Sequence, residues 1–122
     1  MSAVNMANQA DRIQLLQGTL DMIILRTLLL GPAHGHEIAK HIQRTTEDLL
    51  QVERRSLYPA LHRLEKRGWV VGKWECARQG MKRESKYYRP TPAGRKQILA
   101  EESKWKRLIG AVARVMWQAE EG

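Results

Sequence analysis

The chain has 122 residues, a formal net charge of +8 and a single cysteine, Cys76. That length suits one domain, and one cysteine excludes an internal disulfide framework and a Cys-rich zinc site. Residues Met1 to Arg12 are polar and lack the apolar stretch of a signal peptide. The longest apolar run, Met22 to Leu30, is broken by Arg26 and Thr27 and is too short for a bilayer, so a cytoplasmic protein without membrane association is expected.

The charge is local. Between Glu53 and Arg89 lie 11 Lys and Arg against 4 Glu, a net +7, which leaves +1 for the rest of the chain. A concentrated basic surface attracts polyanions, whereas a merely solvated basic protein would spread its charge evenly. Apolar residues make up 43% and Phe is absent, so Leu, Ile, Val and four Trp must build the core.

In chain order, residues 4–17 carry Ile13, Leu15 and Leu16 and read as a short leading helix. Thr19 to Leu30 follows as a firmer helix. Leu20, Ile23, Ile24, Thr27 and Leu28 share one face, Thr19 is an expected N-cap, and Gly31-Pro32 is a stop. Residues 31–35 read as a turn. A second helix is expected over 36–45, with Ile38, Ala39 and Ile42 inward, then a loop from Thr46 to Val52. The third helix runs from Arg54 or Arg55 to Arg67, with Leu57, Ala60, Leu61 and Leu64 as its inner face and Gly68 as a left-handed stop.

The period then changes. Trp69 to Cys76 and Ser85 to Arg89 mix β-branched and aromatic residues around a polar, basic segment centred on Gly80, which predicts a two-stranded hairpin with Cys76 as a strand residue. Thr91-Pro92 announces a last helix, 92–118, with Thr91 as N-cap and Pro92 at its first position. The fold class is therefore mainly α with a small β-hairpin: a winged helix-turn-helix plus a long C-terminal helix. The expected division is an N-terminal arm or short helix (1–17), a winged DNA-binding domain (18–90) and a dimerisation helix (91–122).

The third helix has an apolar back. Arg55, Pro59, His62 and Lys66 lie opposite it, with Tyr58 and Arg63 on the flanks. An α-helix fits the major groove of duplex DNA, where base edges display a readable donor and acceptor pattern. His62 and Arg63 are expected near base edges. First-turn amides, with the Ser56 and Tyr58 hydroxyls and Arg54, suit phosphate oxygens. Pro59, placed near the helix start, is expected to cost little. Arg78, Lys82, Arg83 and Lys86 on the hairpin are expected to hold the DNA backbone.

From Trp105 onward, Trp105, Leu108, Val112 and Val115 recur at steps of three and four, with Ile109 and Met116 beside them. A domain this small cannot cover so long a stripe, so a two-fold dimer with two recognition helices on a palindromic site is expected. Two Trp105 rings near the axis would suit a planar aromatic effector.

Two stretches carry a family resemblance. The run Ser56-Leu57-Tyr58-Pro59-Ala60-Leu61-His62-Arg63-Leu64-Glu65-Lys66-Arg67-Gly68-Trp69 resembles the recognition-helix signature of PadR-type regulators. Lys86-Tyr87-Tyr88-Arg89-Pro90-Thr91-Pro92-Ala93-Gly94-Arg95 resembles their strand-to-helix junction. Leu28 to Ile38 is similar to their first turn, although a Gly-Tyr is more usual there than Gly35-His36. The resemblance spans about residues 17–117. It implies a homodimeric winged-helix repressor of the short subgroup, with one dimerisation helix, whose repression a small aromatic or hydrophobic compound often relieves.

Rival readings find less support. His34, His36 and His41 lack a carboxylate or Cys that would complete a metal set, so no metal or cofactor is expected. No nucleophile triad, phosphate loop or carboxylate pair suggests an enzyme. A protein-binding winged helix would need an apolar recognition face. An RNA module would need a broader aromatic platform than Trp69, Trp74, Tyr87 and Tyr88 on two strands.

Overall fold

The computed structural model describes residues 17–76 and 84–117. The leading helix expected over 4–17 lies outside them except for Gln17. Helix α1 spans Gln17–Leu28. Thr19 is therefore inside its first turn rather than its cap. Burial of Leu20, Ile24, Leu25 and Leu28 carries the helix through Gly18, a case of packing overriding a weak helix former. Leu29, Leu30 and Gly31 then bond three residues back, and Gly31, at φ 147°, releases the chain.

Residues Ala33–His34, expected in a turn, form the short strand β1. It pairs antiparallel with β3 (Ser85–Pro90), Ala33 opposite Tyr88 and His34 opposite Tyr87. On its other edge β3 pairs with β2 (Val70–Glu75), from Val70 opposite Pro90 to Glu75 opposite Ser85. The sheet thus has three strands in the order β1-β3-β2, not two. Two residues hold no readable alternation. What makes them a strand is the edge of β3, whose backbone groups need partners. Cys76 follows β2 and is exposed.

Helix α2 spans Gly35–Thr45 and opens with a reciprocal cap. The Glu37 amide donates to His34 Nδ1 at 3.3 Å, and the His34 amide donates to Glu37 Oε1 at 3.1 Å. Ile38 and Ile42 are buried. Thr46 holds the following loop, donating to the Ile42 carbonyl at 2.8 Å and accepting from the Leu50 amide at 3.1 Å.

Helix α3 spans Arg54–Lys66, with Leu57, Ala60, Leu61 and Leu64 buried as its periodicity predicts. Pro59 is its sixth residue, not part of the first turn, so the missing amide leaves the Arg55 carbonyl without its i→i−4 bond. The helix closes in a Schellman motif. Gly68 at φ 74° donates to the Glu65 carbonyl, and Trp69 donates to the Leu64 carbonyl, both at 3.0 Å.

Helix α4 spans Pro92–Trp117. Thr91 caps it, accepting from the Gly94 amide at 3.0 Å while donating to the Gly68 carbonyl at 2.6 Å. A Cβ at Gly94 would stand 2.0 Å from the Trp69 carbonyl oxygen, so only glycine lets α4 lie this close to the turn after α3. Ile98 then packs into the core shared by α1, α2, α3, Val70 and Tyr88.

Candidate nucleic-acid interface

The buried row of α3 fixes which side chains face outward. Arg54, Arg55, Ser56, Tyr58, Pro59, His62 and Lys66 are all exposed. Arg55 pairs with Glu53 at the helix start. That hydrogen bond and the carboxylate charge raise the guanidinium pKa further above its ordinary value. Tyr58 is half-exposed, with its ring over Gly35, where an added Cβ would meet the phenol oxygen at 2.7 Å. It therefore packs on α2 and presents its hydroxyl at the seam between the two helices.

Two cations expected on DNA are instead engaged within the protein. Arg63 donates from Nε to Asp21 Oδ2 at 3.1 Å and from Nη2 to Asp21 Oδ1 at 2.7 Å. Asp21 is nearly buried, so its charge needs that fork, and the fork raises the Arg63 pKa. Lys86 reaches Glu65 at 3.2 Å and lies 5.4 Å from the Tyr88 ring centroid. Burial, then the Glu65 carboxylate, push the Tyr88 phenol above its ordinary range. Arg89 likewise pairs with Glu75 across the hairpin at 2.8 Å.

Ion pairing therefore sorts the basic segment. No ion pair among the described residues engages Arg54, Lys66 or Lys73, and all three are exposed. Arg78, Lys82 and Arg83 lie outside the described residues. Exposed, unneutralised cations beside a rigid helix face can meet phosphates, and His62 and Ser56 add hydrogen-bonding groups.

A groove of about 220 Å³ joins this face to α2, lined by His36, Lys40 and Gln43 on one side and by Arg54, Leu57 and Tyr58 on the other. The sequence reading did not single out His36 or Lys40 for this face. Their i, i+4 spacing, off the Ile38 and Ile42 row, was the available signal.

The other expected site is on α4. Only Gly94 and Ile98 of this helix are buried. Leu108, Ile109, Val112, Val115 and Met116 are exposed, as are Leu99 and Trp117, which the spacing argument passed over. Trp105 is half-buried at a cleft of about 470 Å³ between α1 and α4 of one chain, with Met22, Leu25, Trp69 and Leu108. Arg67 lies over Trp69 at 5.1 Å on the same cleft. Among the described residues, no helix is long and apolar enough to cross a membrane, and no three His, Cys, Asp or Glu group as a metal site.

Comparison with known proteins agrees with this geometry. Residues 24–100 match the family model described as the transcriptional regulator PadR-like family. An uncharacterised protein of Lysinibacillus sphaericus is 33% identical over 94 residues, covering 77% of this chain and 84% of that protein. Among solved structures, a transcriptional regulator from Clostridium thermocellum superposes with a TM-score of 0.70 at 32% identity, covering 80% of this chain and 89% of its own. A PadR family transcriptional regulator from Eggerthella lenta gives a TM-score of 0.68 at 28% identity, covering 94% and 89%. The chain belongs to the PadR-like family of transcriptional regulators, DNA-binding winged-helix proteins rather than enzymes.

Proposed function

We propose that this regulator represses transcription as a homodimer on a palindromic operator. The observation that carries the reading is the division of α3. Its back is wholly buried, and its outer face presents Arg54, Arg55, Ser56, Tyr58, His62 and Lys66 to solvent. In this reading His62 approaches base edges. Arg54, Tyr58 and Lys66 meet phosphates, and so do Arg78, Lys82 and Arg83 by their place between β2 and β3. Arg63 and Lys86 brace the helix from behind through Asp21 and Glu65.

In this reading residues 18–90 are the DNA-binding unit and 91–122 the pairing segment. The exposed stripe from Leu108 to Met116 supports this division, since a second copy of α4 would cover it. A planar aromatic or hydrophobic ligand would act at Trp105. The α1–α4 cleft supports that placement, because it touches Leu64 and Arg67 at the end of the recognition helix and a ligand there bears on that helix's position. Selection of bound sites from random duplexes tests the central claim. Palindromic sites support it, and equal affinity for duplex, single strand and RNA overturns it.

A further inference from the structure

The groove between α2 and α3 is lined by one imidazole among its cations. His36 is exposed and lines it with Lys40 on its own helix and Arg54 and Tyr58 on α3. No carboxylate lines the groove among the described residues. Acids on α2, in the loop after it and at the start of α3 are engaged elsewhere, Glu53 with Arg55. Glu37 accepts from the His34 amide and stands 3.5 Å from His34 Nε2, and Asp48 accepts from Gln43 at 2.9 Å. The remaining neighbours are His34 on β1, its ring stacked 6.3 Å from His36, and Tyr87 on β3, edge-on to His34 at 5.4 Å.

We propose that His36 is a proton-controlled phosphate ligand that, with Lys40, Arg54 and Tyr58, grips one backbone phosphate of duplex DNA more tightly when its ring is protonated. The inference rests on the DNA-binding reading above and adds a residue and a pH dependence to it. Neutral imidazole offers a single N–H donor, whereas imidazolium offers two donors and a positive charge. A phosphodiester anion in the groove favours the charged ring, so DNA binding takes up a proton. The sign follows from linkage. The charged ring is the binding form, so the added affinity is present below the range where histidines titrate and is lost as pH rises through it.

The test measures the affinity of the full chain for a labelled duplex carrying a selected site, at about pH 5.5 and about pH 8, over a salt series. Wild type, His36→Gln and His41→Gln are compared, and circular dichroism melts verify folding. Wild type should bind about threefold to tenfold tighter per half-site at the lower pH. Its log affinity against log salt should steepen by up to about 0.9 per half-site, the counterion release that one added positive charge at the DNA brings. His41→Gln, on α2 but outside the groove lining, should keep both increments, and folded His36→Gln should lose them. A response that survives in His36→Gln, that vanishes in His41→Gln, or that is absent from wild type overturns the inference and leaves the DNA-binding reading standing. Absence of duplex binding at either pH overturns both.

Discussion

Arg63 of α3 and Asp21 of α1 face each other as a two-pronged ion pair, Nε to Oδ2 at 3.1 Å and Nη2 to Oδ1 at 2.7 Å. Asp21 is 6% exposed at its side chain and Arg63 27%, so the carboxylate depends on the guanidinium more than the reverse. Removing Arg63 strands a charge in the protein interior, whereas removing Asp21 leaves a cation that reaches water.

Arg63→Ala should therefore destabilise the fold by about 2–4 kcal/mol. Its effect on DNA should be a loss of active protein rather than a change in preferred sequence. Urea unfolding gives the first quantity, and site selection with the folded fraction gives the second. A change of preference at one position per half-site, with stability intact, would restore Arg63 as a base contact.

Operator affinity should fall by roughly 10³-fold or more between about 50 and 200 mM salt, because protein cations that neutralise several phosphates release the counterions condensed there. Lys66→Ala should weaken all sequences alike and flatten that slope, since Lys66 is exposed and no ion pair among the described residues engages it. Fluorescence anisotropy over a salt series reads both effects.

Gly94→Ala should be among the most damaging small substitutions outside the apolar core. The new methyl would meet the Trp69 carbonyl oxygen at 2.0 Å, and the obstacle is backbone rather than a movable side chain. A loss of about 2 kcal/mol or more is expected. A melting temperature equal to wild type would show that α4 can shift without cost.

In the proposed dimer, Val112→Asp should separate the two copies into monomers. Val112 is 49% exposed and sits amid Leu108, Ile109, Val115 and Met116, so a carboxylate there would be desolvated against a second apolar helix. Light scattering at micromolar concentration decides it. A wild-type monomer would refute the dimer altogether.

Planar dyes should quench wild type and release it from DNA, and Trp105→Ala should respond to neither measurement. The comparison is required because the chain has four Trp. Equal quenching of both proteins, or of neither, would leave Trp105 with no part in ligand binding.

Period and punctuation settled the helices. The rows Leu57-Leu61-Leu64 and Ile38-Ile42 are local patterns, and Gly68 and Thr91-Pro92 act on their own neighbours, so α2, α3 and α4 lie within a residue of the bounds the chain itself announced, whereas α1 starts two residues before Thr19 and ends two before Leu30. The extra charge between Glu53 and Arg89 was equally legible, and with the motifs around Tyr58 and Thr91 it pointed to a DNA-binding winged helix. What the sequence could not disclose was which cations are spent inside the molecule. Arg63 finds its partner 42 residues away and Lys86 finds its partner 21 residues away. Strand β1 likewise exists because β3 passes beside it, and Trp105 shares with Trp69 and Met22 a cleft that forms only where α1 and α4 come together. A side chain's charge is a local property, whereas its neutralisation depends on which distant segments the fold packs against it.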